Sequence, residues 1–235
     1  ITGPRIAIQG TNPAMINGGD VENTGIEIAL GWNDKIGKDF RYNIGVNVAT
    51  NKNKITRIAN ENGYINGAAS ILSQGTDYIY RAEVGKPIGY FRGVSYSGIW
   101  QNQAQIDEAI AAGKAVLGGA KPGDPIWDDW NGDGEIIYAD GDNTDKHEIG
   151  NPNPDVTLGV NLGFNYKGLD FSVNGAGAFG MQIMRSYRSF GDSPYQNYDT
   201  TILNRWHGEG TSNSQPRIMD QGHTNTIWVS ARYME

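Results

Sequence analysis

The stretch 156–179 reads VTLGVNLGFNY, KG, LDFSVNGAGAF, and its period decides the fold. Val156, Leu158, Val160, Leu162, Phe164 and Tyr166 fall on one side, and Thr157, Gly159, Asn161, Gly163 and Asn165 on the other. Beyond Lys167 and Gly168, Leu169, Phe171, Val173 and Phe179 oppose Asp170, Ser172, Asn174 and Ala178 in the same way. Successive side chains of a strand point to opposite faces, so strict alternation marks strands with one apolar and one wet face. A two-residue connection between such runs is the length of a tight hairpin.

The same pattern recurs upstream. In 25–32, Ile26, Ile28, Leu30 and Trp32 share one face, and in 40–50, Phe40, Tyr42, Ile44, Val46 and Val48 oppose Arg41, Asn43, Gly45, Asn47 and Ala49. A further alternating run, Ile227, Val229, Ala231 and Tyr233, predicts a strand over 226–235. Globular strands average about five or six residues, whereas a tilted strand needs about 9–11 to cross a bilayer, and these runs approach the second figure. Trp32, Phe40, Tyr42, Phe164, Tyr166 and Phe171 sit near the ends of the apolar faces, where an interfacial girdle belongs. The first pair is joined by the short segment 33–39, but about a hundred residues, 50–155, separate the pairs. Outer-membrane barrels have short periplasmic turns and long extracellular loops. The expected fold class is therefore all-β: antiparallel transmembrane β-barrel strands near 25–32, 40–50, 156–166, 169–180 and 226–235, with 50–155 as a long extracellular loop region. A soluble antiparallel sandwich or a lipocalin-like barrel would show the same alternation; strand length and end-placed aromatics argue against it.

Within the insertion the sequence predicts one short helix, 103–112, capped by Asn102, with Gln105 at the third helical position and Gly113 as its stop. Its apolar residues are few, so it is expected on a loop surface. The stretch 78–96 suggests one or two more strands.

Composition bounds the remainder. The 235 residues include 33 Gly and no Cys, so disulfides and thiolate metal sites are absent. No run approaches the roughly 18 apolar residues of a membrane helix, which leaves a barrel open because its strands carry only a weak signal. No signal peptide opens the chain: it has been removed, or the chain begins inside a longer one. Of the net charge of −7, the segment 124–155 accounts for more than all, with ten acidic residues against Lys146 alone. The acidity is thus one local feature, and no basic patch points to nucleic acid.

That feature contains the one strong chemical motif. Residues 129–140 read DWNGDGEIIYAD, a D-x-N-x-D-G calcium loop. Calcium prefers six to eight oxygens. Asp129, Asn131 and Asp133, at loop positions 1, 3 and 5, can aim side-chain oxygens at one point; Glu135 would offer its backbone carbonyl, and Asp140, at position 12, would close the loop. Gly134 permits the sharp turn. Flanking helices are missing, so a stand-alone structural loop is expected; the alternative is an acidic solvated turn, since Asp, Asn and Gly are turn formers themselves.

His147, His207 and His223 lack metal-ligand spacing, and neither a nucleophile elbow nor a phosphate-binding loop occurs. His147 reads as a surface histidine. Carboxylate pairs for glycoside hydrolysis are not excluded by spacing, but the acidic residues concentrate in the calcium loop, and an enzyme is not expected. Loop aromatics such as Tyr90, Trp100, Trp127, Trp130 and Tyr195 could stack on sugar or peptide; packing within the loops is the commoner role.

Four motifs in order resemble SusC/RagA-type TonB-linked outer-membrane transporters: DVENTGIE at 20–27, GKPIGYF at 85–91 with GIWQ at 98–101, PGD at 122–124 ahead of the calcium loop, and IGNPNP at 149–154. Asp170-Phe171-Ser172 and 228–235 also fit, so the resemblance covers essentially the whole chain. It implies the C-terminal barrel region of such a transporter, as a fragment without plug domain or TonB box, and no enzyme. It further implies an importer of glycans or oligopeptides in the outer membrane of a Gram-negative bacterium, capped by a SusD-like surface lipoprotein and driven by the TonB system through N-terminal parts missing here. Arg41, Asn43, Asn47, Asn161, Asn165 and Asn174 would line the lumen, and calcium would rigidify a loop near the lipoprotein. The other functional reading is a soluble secreted calcium-stabilised β-domain that binds carbohydrate.

Overall fold

The computed structural model describes residues 17–69, 71, 78–139, 141, 143–183 and 200–218. In chain order its elements are β1 (Gly19–Ile36), β2 (Phe40–Ile58), β3 (Tyr64–Asn66), β4 (Tyr80–Glu83), β5 (Tyr90–Gly93), β6 (Tyr96–Ile99), α1 (Gln103–Ala111), β7 (Pro125–Trp127), β8 (His147–Gly150), β9 (Val156–Tyr166) and β10 (Leu169–Phe179). The strand expected over 226–235 lies outside the described residues. The chain divides into two compact units.

One unit is an antiparallel sheet in the order β1-β2-β9-β10. Its register places every apolar run on a single face: Leu30 pairs with Val46, Val46 with Val160, Ile44 with Leu162, and Leu162 with Val173. A slip of one residue in any strand would turn its apolar set to the other face, so the pattern itself fixes the register. The face is uncovered, with Leu30 at 69% and Ile26 at 68% exposure. A water-soluble sheet does not leave such a continuous surface bare.

The apolar band has sharp limits. On β2 it runs from Phe40 to Val48 and then gives way to Thr50, Lys52 and Lys54; on β1 the facing residues change at the same level, from Ile26 to Thr24 and Glu22. Across the β1–β2 pair the band reaches from Ile36–Phe40 to Ile26, which faces Thr50; these ten steps span roughly 33 Å, which at a tilt of about 40° crosses about 25 Å, the height of a barrel's apolar band. Both strands are longer than the sequence pattern predicts because they continue past this level as polar strand; a β-bulge near Asp20 and the Asp20–Arg57 ion pair (2.7 Å) mark the extension. At the opposite end, rings gather: Phe40 lies 5.6 Å from Phe164, and Phe164 5.1 Å from Phe171. The turns there are short. Lys167 and Gly168 both have positive φ (48° and 89°), the twist a two-residue hairpin requires, and 37–39 close the other pair. The first turn is tighter than the expected 33–39, since β1 runs on to Ile36.

The reverse face is low and uncharged at its centre. Asn43 pairs with Gly163, Gly45 with Asn161, and Asn47 with Gly159. The carboxamides of Asn43 and Asn47 lie where a Cβ on Gly163 and Gly159 would stand. The six expected lumen residues, Arg41, Asn43, Asn47, Asn161, Asn165 and Asn174, all occupy this face.

The second unit holds β5 between β4 and β8, the β6–β7 pair and α1. Three small cores support it: Ile79 with Phe91, Val94 with Trp127, and Trp100 with Ile106 and Ala109. Helix α1 begins as expected, with Asn102 accepting from the Gln105 N–H at 3.0 Å. It lies on the surface, as expected, and is docked there by one side. Ile106 and Ala109, one turn apart, are buried against Trp100, and two well-placed apolar residues suffice to dock a helix of nine. Tyr90, Trp100 and Trp127 are likewise core residues, not open stacking surfaces.

Candidate functional site

The segment from Asp129 onward is a wound acidic turn in the second unit. Asp129, at its head, accepts backbone N–H groups from Gly132 (2.7 Å), Asp133 (3.2 Å) and Gly134 (2.9 Å), so one carboxylate winds the first half of the loop around itself. Gly132 and Gly134 have φ of 74° and 89°, which side chains disfavour. Asn131 and Asp133 are brought together, the Asn131 Nδ2 donating to Asp133 Oδ2 at 3.0 Å. Glu135 is exposed, and its N–H donates to Asp133 Oδ1 at 2.9 Å. Asp140 lies outside the described residues. Among the described residues no three Asp, Glu, His or Cys side chains converge. The side-chain oxygens of Asp129, Asn131 and Asp133 are carboxylate and carboxamide oxygens, which in kind fit a hard cation.

The structure adds a residue the motif does not contain. Asp145 is fully buried at 0% exposure. Its Oδ1 accepts the Trp130 N–H (2.8 Å) and, at 3.5 Å, that of Asn131; its Oδ2 accepts the Ile137 N–H (2.7 Å). Nothing in the sequence separates it from its neighbours Asp140 and Asp142. His147 is not a free surface histidine either. Its Nδ1–H donates to the Asp145 carbonyl at 2.8 Å. The imidazole lies flat on the indole of Trp130, 3.7 Å between centroids and 6° between planes.

Two further junctions explain the other motifs. Gly123 sits at φ 90°, and a Cβ there would meet Trp206 Cε3 at 2.5 Å and Arg217 Cδ at 2.7 Å; next to it, Asp124 pairs with Arg217 at 2.8 Å in a largely buried contact. The PGD run is thus the seat of residues 206–217. In the sheet unit, the backbone of Ile88 is held from both sides: its N–H donates to Asn53 Oδ1 (2.8 Å), and its carbonyl accepts from Asn153 Nδ2 (3.1 Å). The GKPIG and GNPNP runs therefore lock onto one another at the end of β2. A hollow of about 810 Å³ beside the tight turns is lined in part by Asn33, Arg41, Asn43, Asn165, Asp170 and Ser172 of the polar face.

No family model matches the chain. Curated relatives do. TonB-dependent receptor P26 of Formosa agariphila is 30% identical over 230 residues, 96% of this chain and 22% of its own length. TonB-dependent receptor P3 of the same organism is 29% identical over 209 residues, covering 88% of this chain and 20% of the receptor. TonB-dependent receptor SusC of Bacteroides thetaiotaomicron is 27% identical over 67% of the chain. The chain thus spans about a fifth of the length of the first two relatives. Among solved structures, the RagAB peptide importer in its open-open state superposes with a TM-score of 0.64 at 19% identity, over 100% of this chain and 23% of that one. The RagAB peptide transporter gives 0.63 at 20% identity over 96%. At this identity the superpositions establish the fold, an antiparallel barrel wall.

Proposed function

We infer, from the chain's membership of the SusC/RagA-type TonB-dependent receptors, that it builds part of the wall and extracellular loops of an outer-membrane nutrient importer. The observation that carries this reading is the two-faced sheet: a bare apolar band of bilayer height on one side, a carboxamide wall on the other, tight turns at one end and the 59–155 insertion at the other. Facing hydrocarbon, the band exposes side chains to lipid while the ladders from β1 to β10 pair the backbone inside the sheet; the outer edges of β1 and β10 are left for further strands of a closed barrel. The wall of Asn43, Asn47, Asn161, Asn165 and Asn174 faces the lumen, where both donor and acceptor are offered without fixed charge. The cargo is a glycan or an oligopeptide, taken up with TonB energy and a SusD-like surface lipoprotein as partner; the TonB-dependent receptor relatives support the energy source, and the likeness to a peptide transporter supports the peptide. Fractionation tests the reading. The receptor carrying this segment should sit in the outer membrane, shift its gel mobility on heating, and co-extract in mild detergent with one surface lipoprotein in equal amount. Recovery as a soluble periplasmic monomer would favour the carbohydrate-binding domain instead.

The loop at 129–140 binds calcium in this proposal. Asp129, Asn131, Asp133 and Asp140 would supply side-chain oxygens and Glu135 its carbonyl, and the ion would replace carboxylate repulsion by shared coordination. An ion that binds only the folded loop stabilises it by mass action, about 2.7 kcal/mol at a concentration 100 times Kd. Calcium is therefore expected to raise the protease resistance of the loop region in wild type and to leave Asp129→Asn and Asp133→Asn unaffected. An equal gain in all three proteins would remove the ion from this loop.

A further inference from the structure

Asp145 lies outside the twelve-residue calcium motif, yet it is the most thoroughly buried acid among the described residues. Burying a carboxylate is costly unless its lone pairs are filled by donors. Here the donors are backbone N–H groups of the loop itself: Trp130, at loop position 2, and Ile137, at position 9, at 2.8 and 2.7 Å. The Asp145 N–H returns a bond to the Ile137 carbonyl at 2.8 Å. One side chain thus ties the loop's beginning to its second half. The same residue's carbonyl holds His147, and the imidazole presses the Trp130 ring, itself 62% exposed, into a fixed plane. In an EF-hand, flanking helices set the spacing of the two ends of the loop; this loop has none within it or at its edges.

We propose that Asp145 is the positioning residue of the calcium loop, an internal anion that holds its two halves in cation-binding shape whether or not the cation is present. This rests on the calcium reading above. It differs from that reading in assigning the loop's order to a buried carboxylate outside the twelve-residue motif. Its consequence is that removing Asp145's charge should weaken ion binding, while removing the ion should lower the protection of the loop's amides without abolishing it.

The experiment uses the whole receptor in detergent, stripped with chelator, with terbium as the probe and its luminescence excited through tryptophan. Hydrogen exchange of peptides covering 130–137 is measured in parallel. In wild type, terbium should bind and be displaced by calcium, and the 130–137 amides should exchange slowly even in chelator. In Asp145→Asn the carboxamide sets an NH2 donor against a backbone N–H. Terbium affinity should fall at least tenfold and exchange at 130–137 should accelerate at least tenfold, with 156–179 unchanged as the proof that the sheet remains folded. His147→Phe keeps a ring on Trp130 and Asp145's carboxylate, and should retain affinity within about threefold. Equal terbium affinity in wild type and Asp145→Asn overturns the proposal, as does exchange in chelator that is as fast in wild type as in Asp145→Asn. Absence of a terbium signal from wild type strikes the calcium reading itself, and the proposal falls with it before any variant is made.

Discussion

Val46→Arg is expected to prevent assembly of the receptor in the membrane, while Asn47→Arg, one residue along the same strand, leaves it assembled. Val46 stands near the middle of the apolar band, between Leu30 on β1 and Val160 on β9. An arginine at the bilayer midplane of a barrel's lipid face costs about 2–4 kcal/mol, roughly 30- to 700-fold in the ratio of folded to unfolded protein. Asn47 points to the opposite face, between Ala29 and Gly159. There the neighbours are small, and a guanidinium can extend into the lumen without leaving water. The measurement is urea unfolding in lipid vesicles, read by heat-modifiable gel mobility. Equal stability of the two variants, or a worse result for Asn47→Arg, would mean that hydrocarbon does not touch the Val46 face.

The second large effect falls on Gly123. Gly123→Ala asks for a side chain at φ 90° and drives its methyl into Trp206 and Arg217. The backbone strain costs roughly 1–3 kcal/mol and the overpacking another 1–3. Neither ring nor guanidinium can simply swing away. Gly123 also accepts the Arg217 N–H through its carbonyl at 2.9 Å, and Arg217 is held by Asp124. Gly119→Ala is the matched control: φ is 80°, but nothing lies within 4 Å of the added carbon. Hydrogen exchange over 96–127 and 200–217 should accelerate sharply in Gly123→Ala and little in Gly119→Ala. Similar behaviour of the two would reduce the PGD glycine to a turn former and cancel the seating role.

The candidate loop shows how far a motif reaches. Asp129, Asn131, Asp133 and Gly134 were legible because a turn that wraps a carboxylate in its own amides needs those residue types within six positions, and that requirement is local. Asp145 was not, because its partners, Trp130 and Ile137, are eight and more residues away and its burial is decided by what folds over it. The same holds for His147, which acquires its place only when the loop delivers Trp130 to it. Helix α1 was located by its caps, but its burial on Trp100 depends on a core that no window of ten residues contains.

By itself the sequence determined which face of each long strand is apolar, since the pleat repeats every two residues regardless of context, and it placed both tight turns because each demands a particular backbone twist. The tertiary structure alone decided that β2 lies beside β9, across an insertion of nearly a hundred residues. It also decided where the apolar band stops and which buried acid organises the loop. Those features are contacts between distant parts of the chain, and a chain fixes them only when closing the long loop is repaid by pairing at its end.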